Sequence, residues 1–164
     1  MNKTDTKSNR VLPELLAAAV LALAAAGQAR ADGHVYPLTS EPYKAECGAS
    51  CHVAYPPQLL PAASWRKLMA GLDKHFGSDA SLDAKTAREI GDYLDAAAGT
   101  KKKVAADGAP LRISETQWFR HEHGEELPAS VWSNPKVKSP ANCEACHTRA
   151  AQGDYSERSL RVPR

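Results

Sequence analysis

Four cysteines stand in two pairs, and a histidine directly follows each pair: Cys47-Gly48-Ala49-Ser50-Cys51-His52 and Cys143-Glu144-Ala145-Cys146-His147. The second string is C-x-x-C-H, the attachment signature of c-type haem. The first is the same device with one extra residue between the cysteines. The chemistry explains the pattern. Two thiols add to the two vinyl groups of the porphyrin as thioethers, and the neighbouring histidine comes to lie under the iron as an axial ligand. No cysteine is left over. Two disulfides would suit an exported chain, but they would not require a histidine after each pair. A thioredoxin-like pair would want a βαβ setting, and the chain shows no convincing strand alternation. A zinc site favours similar, closely associated pairs. The residues therefore point to two covalently bound haem c groups, held by Cys47 and Cys51 and by Cys143 and Cys146. His52 and His147 are the proximal iron ligands.

Each iron has a second face. The candidates are His34, His75, His121, His123 and Met69. Met69 is the one methionine beyond the initiator, so it cannot serve two irons, and core filling is its simpler role. The spacing predicts a helix over Pro61 to Gly77. Trp65, Leu68, Leu72 and His75/Phe76 form one apolar face, with His75 at its end where an imidazole could reach an iron. Ser114-Glu115-Thr116-Gln117 reads as a capping box that opens a short helix through about His123. Within it His121 lies three residues after Trp118 and His123 four after Phe119, so helix spacing does not separate them. His34 falls in a stretch whose default is a mobile tail.

Around these residues the chain must supply the elements that hold them. Lys3, Lys7 and Arg10, an apolar run from Val11 to Gly27 and Ala29-Arg30-Ala31 read as a secretory signal peptide over 1–31, cleaved after Ala31. The competing reading is an N-terminal anchor, but the unbroken run Leu15 to Gly27 is too short to span comfortably. No other stretch could cross a membrane, so no stable insertion is expected after cleavage. Export places the chain in the periplasm. The leader takes four Lys/Arg and two acids, leaving 17 of each in residues 32–164. That balance excludes a nucleic-acid binder relying on a positive field. With 43% hydrophobic and 24% charged residues in 164, the chain is globular rather than disordered. Three Trp, two Phe and five Tyr make a thin core, which two haems would fill.

A second helix is predicted over Ser81 to Ala98, with Leu82, Ala87, Ile90, Tyr93, Leu94 and Ala97 on its buried face. Thr100 to Pro110, carrying Lys101-Lys102-Lys103, reads as a linker. The expected fold is all-α, mainly helical with long loops, in two small haem-bearing halves at 32–99 and 111–164. Trp132 is expected against a haem. Gly153 to Arg164 is expected to be a partly ordered strap.

These residues resemble a known family. Glu46-Cys47, Cys51-His52-Val53-Ala54-Tyr55-Pro56-Pro57, Leu59-Leu60-Pro61, Ser64-Trp65 and His75-Phe76-Gly77 are similar to the exported dihaem cytochromes c called DHC. So are Trp118-Phe119 with His123, the Cys143–His147 motif and Arg161-Val162-Pro163. The likeness covers most of 43–163. One departure is the extra residue in the first motif. The resemblance implies low-potential haems with two histidine ligands each, and it favours His123 over His121. It implies electron delivery to a small oxygen-binding monohaem cytochrome, with a membrane cytochrome b as donor. The expected ligand set is thus His52 with His75 and His147 with His123. No enzyme activity is expected. The alternatives are a small haem peroxidase or reductase, or a gas-ligand sensor with one open haem. A disulfide-stapled binding protein without haem is a third.

Overall fold

The computed structural model describes residues 34–48, 51–100, 108–124 and 127–164. The expected leader and the Lys101–Lys103 run lie outside the described residues. Helix α1 (Glu41–Cys47) begins where Ser40 accepts a hydrogen bond from the Tyr43 amide and a proline follows at the first turn. It ends at Gly48, where the chain turns back on itself. A Cβ at Gly48 would stand 2.8 Å from both the Ala54 nitrogen and the Lys44 carbonyl oxygen, so only glycine permits this approach. Pro56 and Pro57 are buried, and Pro57–Leu59 forms one 3₁₀ turn. The Pro57 carbonyl accepts from the Trp65 indole at 2.8 Å, tying this turn to helix α2 (Ala62–Met69).

Here the structure corrects the sequence. The predicted helix over Pro61 to Gly77 stops at Met69. Gly71 takes φ −127°, ψ 29°, and a 3₁₀ turn, Leu72–Lys74, follows. Phe76 (φ 49°) and Gly77 (φ 96°) then reverse the chain. Ser64 lies fully buried inside α2. His75 therefore sits on a turn beyond the helix.

Helix α3 (Ala84–Ala97) starts three residues later than expected. Asp83 caps it by accepting from the Lys85 and Thr86 amides. Ile90 and Leu94, four apart, are buried and meet Tyr43, Ala54, Leu60 and Trp65 in the main apolar cluster. Burying each of these side chains contributes roughly 1.5–3 kcal/mol. Ala87, Tyr93 and Ala97 are only half-buried. The Gly99 amide donates to the Leu60 carbonyl at 2.9 Å, fastening the end of α3 to the start of α2.

In the C-terminal part, helix α4 (Gln117–Gly124) is capped by Thr116 rather than Ser114. The Thr116 hydroxyl accepts from the Phe119 amide at 3.1 Å and donates to the Ile113 carbonyl at 2.7 Å. Ser114 and Glu115 belong to a preceding 3₁₀ turn, Ile113–Glu115. A four-residue α5 (Ala129–Trp132) and short 3₁₀ turns complete the chain. The described residues contain no named strand, only isolated bridges, so the fold is mainly helical. No helix among them is long and apolar enough to cross a membrane.

Asp32–Arg164 form one compact unit, and the two expected halves meet within it. Ile113 packs on the main cluster, and the Tyr55 hydroxyl donates to the Ala141 carbonyl at 2.7 Å. His34 is not a loose tail. Its carbonyl accepts from the Tyr155 amide at 2.8 Å, and the Tyr36 amide donates to the Gly153 carbonyl at 2.8 Å. The C-terminal strap folds back in turn, with the Arg161 amide donating to the Cys146 carbonyl at 2.8 Å.

Candidate haem sites

Two cavities hold all the chemistry predicted from the sequence. The N-terminal one, about 400 Å³, is lined by Cys47, Cys51, His52 and His75. The other, about 280 Å³, is lined by Cys143, Cys146, His147 and His123. Both approach the size of ligand pockets, about 300–1,000 Å³. The sequence elements explain the placement. Cys47 ends α1, and the Gly48 turn returns the chain so that Cys51 and His52 face the same space. The broken helix brings His75 in from the opposite side. Cys143 opens a 3₁₀ turn, Cys143–Ala145, and His147 follows it. Helix α4 presents His123 from across the cavity.

The imidazoles are paired. Ring centres of His52 and His75 lie 6.3 Å apart, and those of His123 and His147 lie 6.1 Å apart. Two imidazoles on opposite sides of one metal, with metal–nitrogen bonds of about 2.0 Å and ring centres about 1.1 Å behind the nitrogens, would stand about 6.2 Å apart. Each pair therefore has the separation that a single shared iron requires. His121, by contrast, is exposed on α4. Met69 packs against the main cluster and lines the N-terminal cavity.

Each of these sites orients its rings. Tyr55 stacks on His52 with centroids 4.5 Å apart and planes 11° apart. The Nδ1 of His52 lies 2.7 Å from the Val53 carbonyl, which leaves Nε2 for the cavity. Phe119 stacks on His123 at 4.1 Å and 10°, and His123 Nδ1 lies 3.2 Å from the Phe119 carbonyl. Trp132, expected against a haem, stands 6.4 Å from His123 and lines the same cavity.

Protonation fits the same use. Burial lowers the pKa of His75, helped by His52 and Arg112. Burial also lowers that of His147, helped by His123. Both shifts favour the neutral imidazole, the form that binds a metal. Burial pushes the Cys47 thiol up to about 11, with Glu46 adding to it, and likewise the Cys143 thiol to about 11. None of the four cysteines is in a disulfide. Among the described residues, no three of His, Cys, Asp or Glu converge on a bare metal ion. Two imidazoles per cavity are what an iron already held by a porphyrin still takes. Two buried polar atoms without a hydrogen-bond partner, His147 Nδ1 and Tyr155 Oη, belong to residues lining the C-terminal cavity.

The profile of the dihaem cytochrome c family matches residues 43–155. The chain belongs to the dihaem cytochrome c family. Solved structures agree. A diheme cytochrome c from Rhodobacter sphaeroides is 41% identical with a TM-score of 0.66, over 73% of this chain and 99% of that one. A second structure, DHC purified from the same organism, is 44% identical with a TM-score of 0.63 and the same coverage. The diheme cytochrome of Shewanella baltica OS155 is 39% identical with a TM-score of 0.64, over 75% of this chain and 92% of that one. No curated protein matches.

A dihaem cytochrome c carries two covalently bound haem c groups and transfers electrons. The haem supplies an iron that cycles by one electron; the protein supplies attachment, ligands and surroundings. Residues that sequence reasoning missed complete these surroundings. Tyr55 was noticed only as part of a string, although it stacks on His52. Arg112 follows the expected linker and belongs to no motif, yet it lines the N-terminal cavity. Tyr36 and Tyr155 lie more than a hundred residues apart, so no local pattern unites them at the C-terminal cavity.

Proposed function

We propose that this dihaem cytochrome c is a periplasmic electron carrier with two closed, bis-histidine irons, His52 with His75 and His123 with His147. In this reading it takes electrons from a membrane cytochrome b-type donor and passes them to a soluble haem-protein acceptor, a small oxygen-binding monohaem cytochrome. It performs no chemistry on a substrate. The reading assumes export and removal of residues 1–31. The observation that carries it is the pairing of two imidazoles in each cavity, at 6.3 and 6.1 Å. An iron with both axial positions filled passes electrons without binding a small ligand.

The test begins with protein purified from the periplasm of a host with haem-maturation machinery. The expected mass is that of residues 32–164 plus two haems. The expected spectrum is low-spin in both oxidation states and unmoved by carbon monoxide after reduction. A stoichiometric carbon monoxide complex at neutral pH would sink the closed-carrier reading in favour of a haem enzyme or gas sensor. The partner half is tested by mixing the reduced protein with an oxidised monohaem cytochrome in a stopped-flow instrument. Transfer no faster than with an unrelated cytochrome would remove that acceptor.

A further inference from the structure

The two cavities are close to electrostatic twins. The N-terminal cavity is lined by two carboxylates, Glu46 and Asp79, and the C-terminal cavity by two, Glu122 and Glu157. They differ by one charge. Among the described residues lining either cavity, Arg112 is the single Lys or Arg, and it lines the N-terminal one.

Arg112 is also anchored to the distal side of that site. Its guanidinium carbon lies 3.9 Å from the ring centre of Phe76. Phe76 stands edge-on to His75, with centroids 4.8 Å apart and planes 66° apart. Phe76 holds φ 49°, a conformation that bulky side chains adopt only when their surroundings impose it. The cation over the ring is one such constraint. Glu115 pairs with Arg112 at 3.6 Å, but both side chains are about half exposed, and so loose a pair leaves most of the positive charge in place. Through Phe76 the cation thus stands beside the His75 side of the cavity.

We propose that Arg112 sets the order of the two reduction potentials, holding the N-terminal haem above the C-terminal one. Internal electron flow then runs from the C-terminal to the N-terminal site. The inference rests on the two-haem carrier reading and on His75 as a ligand. Reduction removes one positive charge from the iron site. A fixed cation nearby therefore favours the reduced state and raises the potential. In the internal step one electron leaves the ferrous C-terminal iron and reduces the ferric N-terminal iron; no proton or atom moves. The structure gives that step a short path, because Ile113, Phe119, Pro140 and Cys143 line both cavities.

The experiment is a spectroelectrochemical titration of the holoprotein and three variants, each resolved into two one-electron waves. Arg112→Gln is expected to shift the reduction equilibrium of the higher wave about tenfold downward, which is about 59 mV for one electron, leaving the lower wave in place. Arg112→Lys keeps the charge without the flat stack and is expected to retain most of the wild-type value. Glu157→Gln, at the other cavity, is expected to raise the lower wave alone. If Arg112→Gln moves the lower wave, both waves equally or neither, the inference is overturned. If Arg112→Lys falls as far as Arg112→Gln, the residue acts by positioning Phe76 and the charge argument is overturned. Two haems indifferent to carbon monoxide with unmoved waves overturn this inference alone; a haem that binds carbon monoxide overturns the carrier reading beneath it.

Discussion

Gly153 is the joint between the N-terminal segment and the C-terminal strap, and replacing it with alanine should be costly for two separable reasons. Its backbone is left-handed, φ 73° and ψ 11°, which costs a residue with a Cβ about 1–2 kcal/mol. Independently, that Cβ would overlap the Tyr36 carbonyl. Neither atom can move while the Tyr36 amide donates to the Gly153 carbonyl and the Tyr155 amide to the His34 carbonyl, both at 2.8 Å. Separating the two segments sacrifices those bonds, at about 0.5–1.5 kcal/mol each. The sum is about 3 kcal/mol. For a unit of this size it corresponds to a fall in Tm of about 10 °C.

The assay is reversible denaturation of the holoprotein, followed by circular dichroism and by the Soret band. Gly91→Ala is the control. It lies within α3, and a Cβ there meets nothing within 4 Å, so it should gain about 0.5–1 kcal/mol in helix stability. Because His34 and Tyr36 line the C-terminal cavity, Gly153→Ala should also disturb one haem spectrum and spare the other. A Gly153→Ala protein as stable as the wild type would refute both the strain and the strap, and with them the account of why His34 is ordered.

Three further outcomes are expected. Thr116→Val preserves shape but leaves the Phe119 amide without its cap; it should cost about 1–2 kcal/mol in chemical denaturation and loosen the helix that carries His123. His123→Ala should create one carbon monoxide-binding haem per molecule in a difference spectrum, whereas His121→Ala, at an exposed position, should create none. Hydrogen bonds from Ser156 and the charge of Arg149 hold the Asp154 carboxyl below its ordinary 3.8. Its contribution to the strap is therefore complete above about pH 4 and is lost as pH falls through the lowered value; the stability gap between wild type and Asp154→Asn, measured across an acid series, should close toward low pH.

The cysteine and histidine spacing disclosed both attachment sites because thioether chemistry constrains a few adjacent residues. It also disclosed the apolar face of Trp65, Leu68 and Leu72, although the helix bearing it breaks after Met69. Periodicity registers which side chains share a face, and it is blind to a turn that keeps them on that face while changing the backbone. The break at Gly71 was the one available warning. The cap of α4 was misplaced by two residues because Ser114 and Thr116 offer the same hydroxyl, and only the packing of Ile113 against the main cluster decides between them. Tyr36, Tyr155 and Arg112 were illegible as site residues. Each enters a cavity through contacts distant in sequence, and nothing local distinguishes such a residue from a surface one.

The shortage of large side chains has a structural answer. Nine of the ten Trp, Phe and Tyr residues line one cavity or the other. The exception, Tyr93, packs on Tyr43 at 5.5 Å. The fold therefore places most of its aromatic surface around the haem cavities, even where Tyr43 and Trp65 also join the main cluster, and a ring stacks on an imidazole at each site, Tyr55 on His52 and Phe119 on His123. It follows that the two sites are not independent modules. The N-terminal cavity takes part of its wall from Arg112, Ile113, Phe119 and Cys143, all beyond the linker. Phe119 stacks on His123 in the C-terminal cavity and also walls the N-terminal one. Ile113, Phe119, Pro140 and Cys143 line both cavities, so the two sites share one wall.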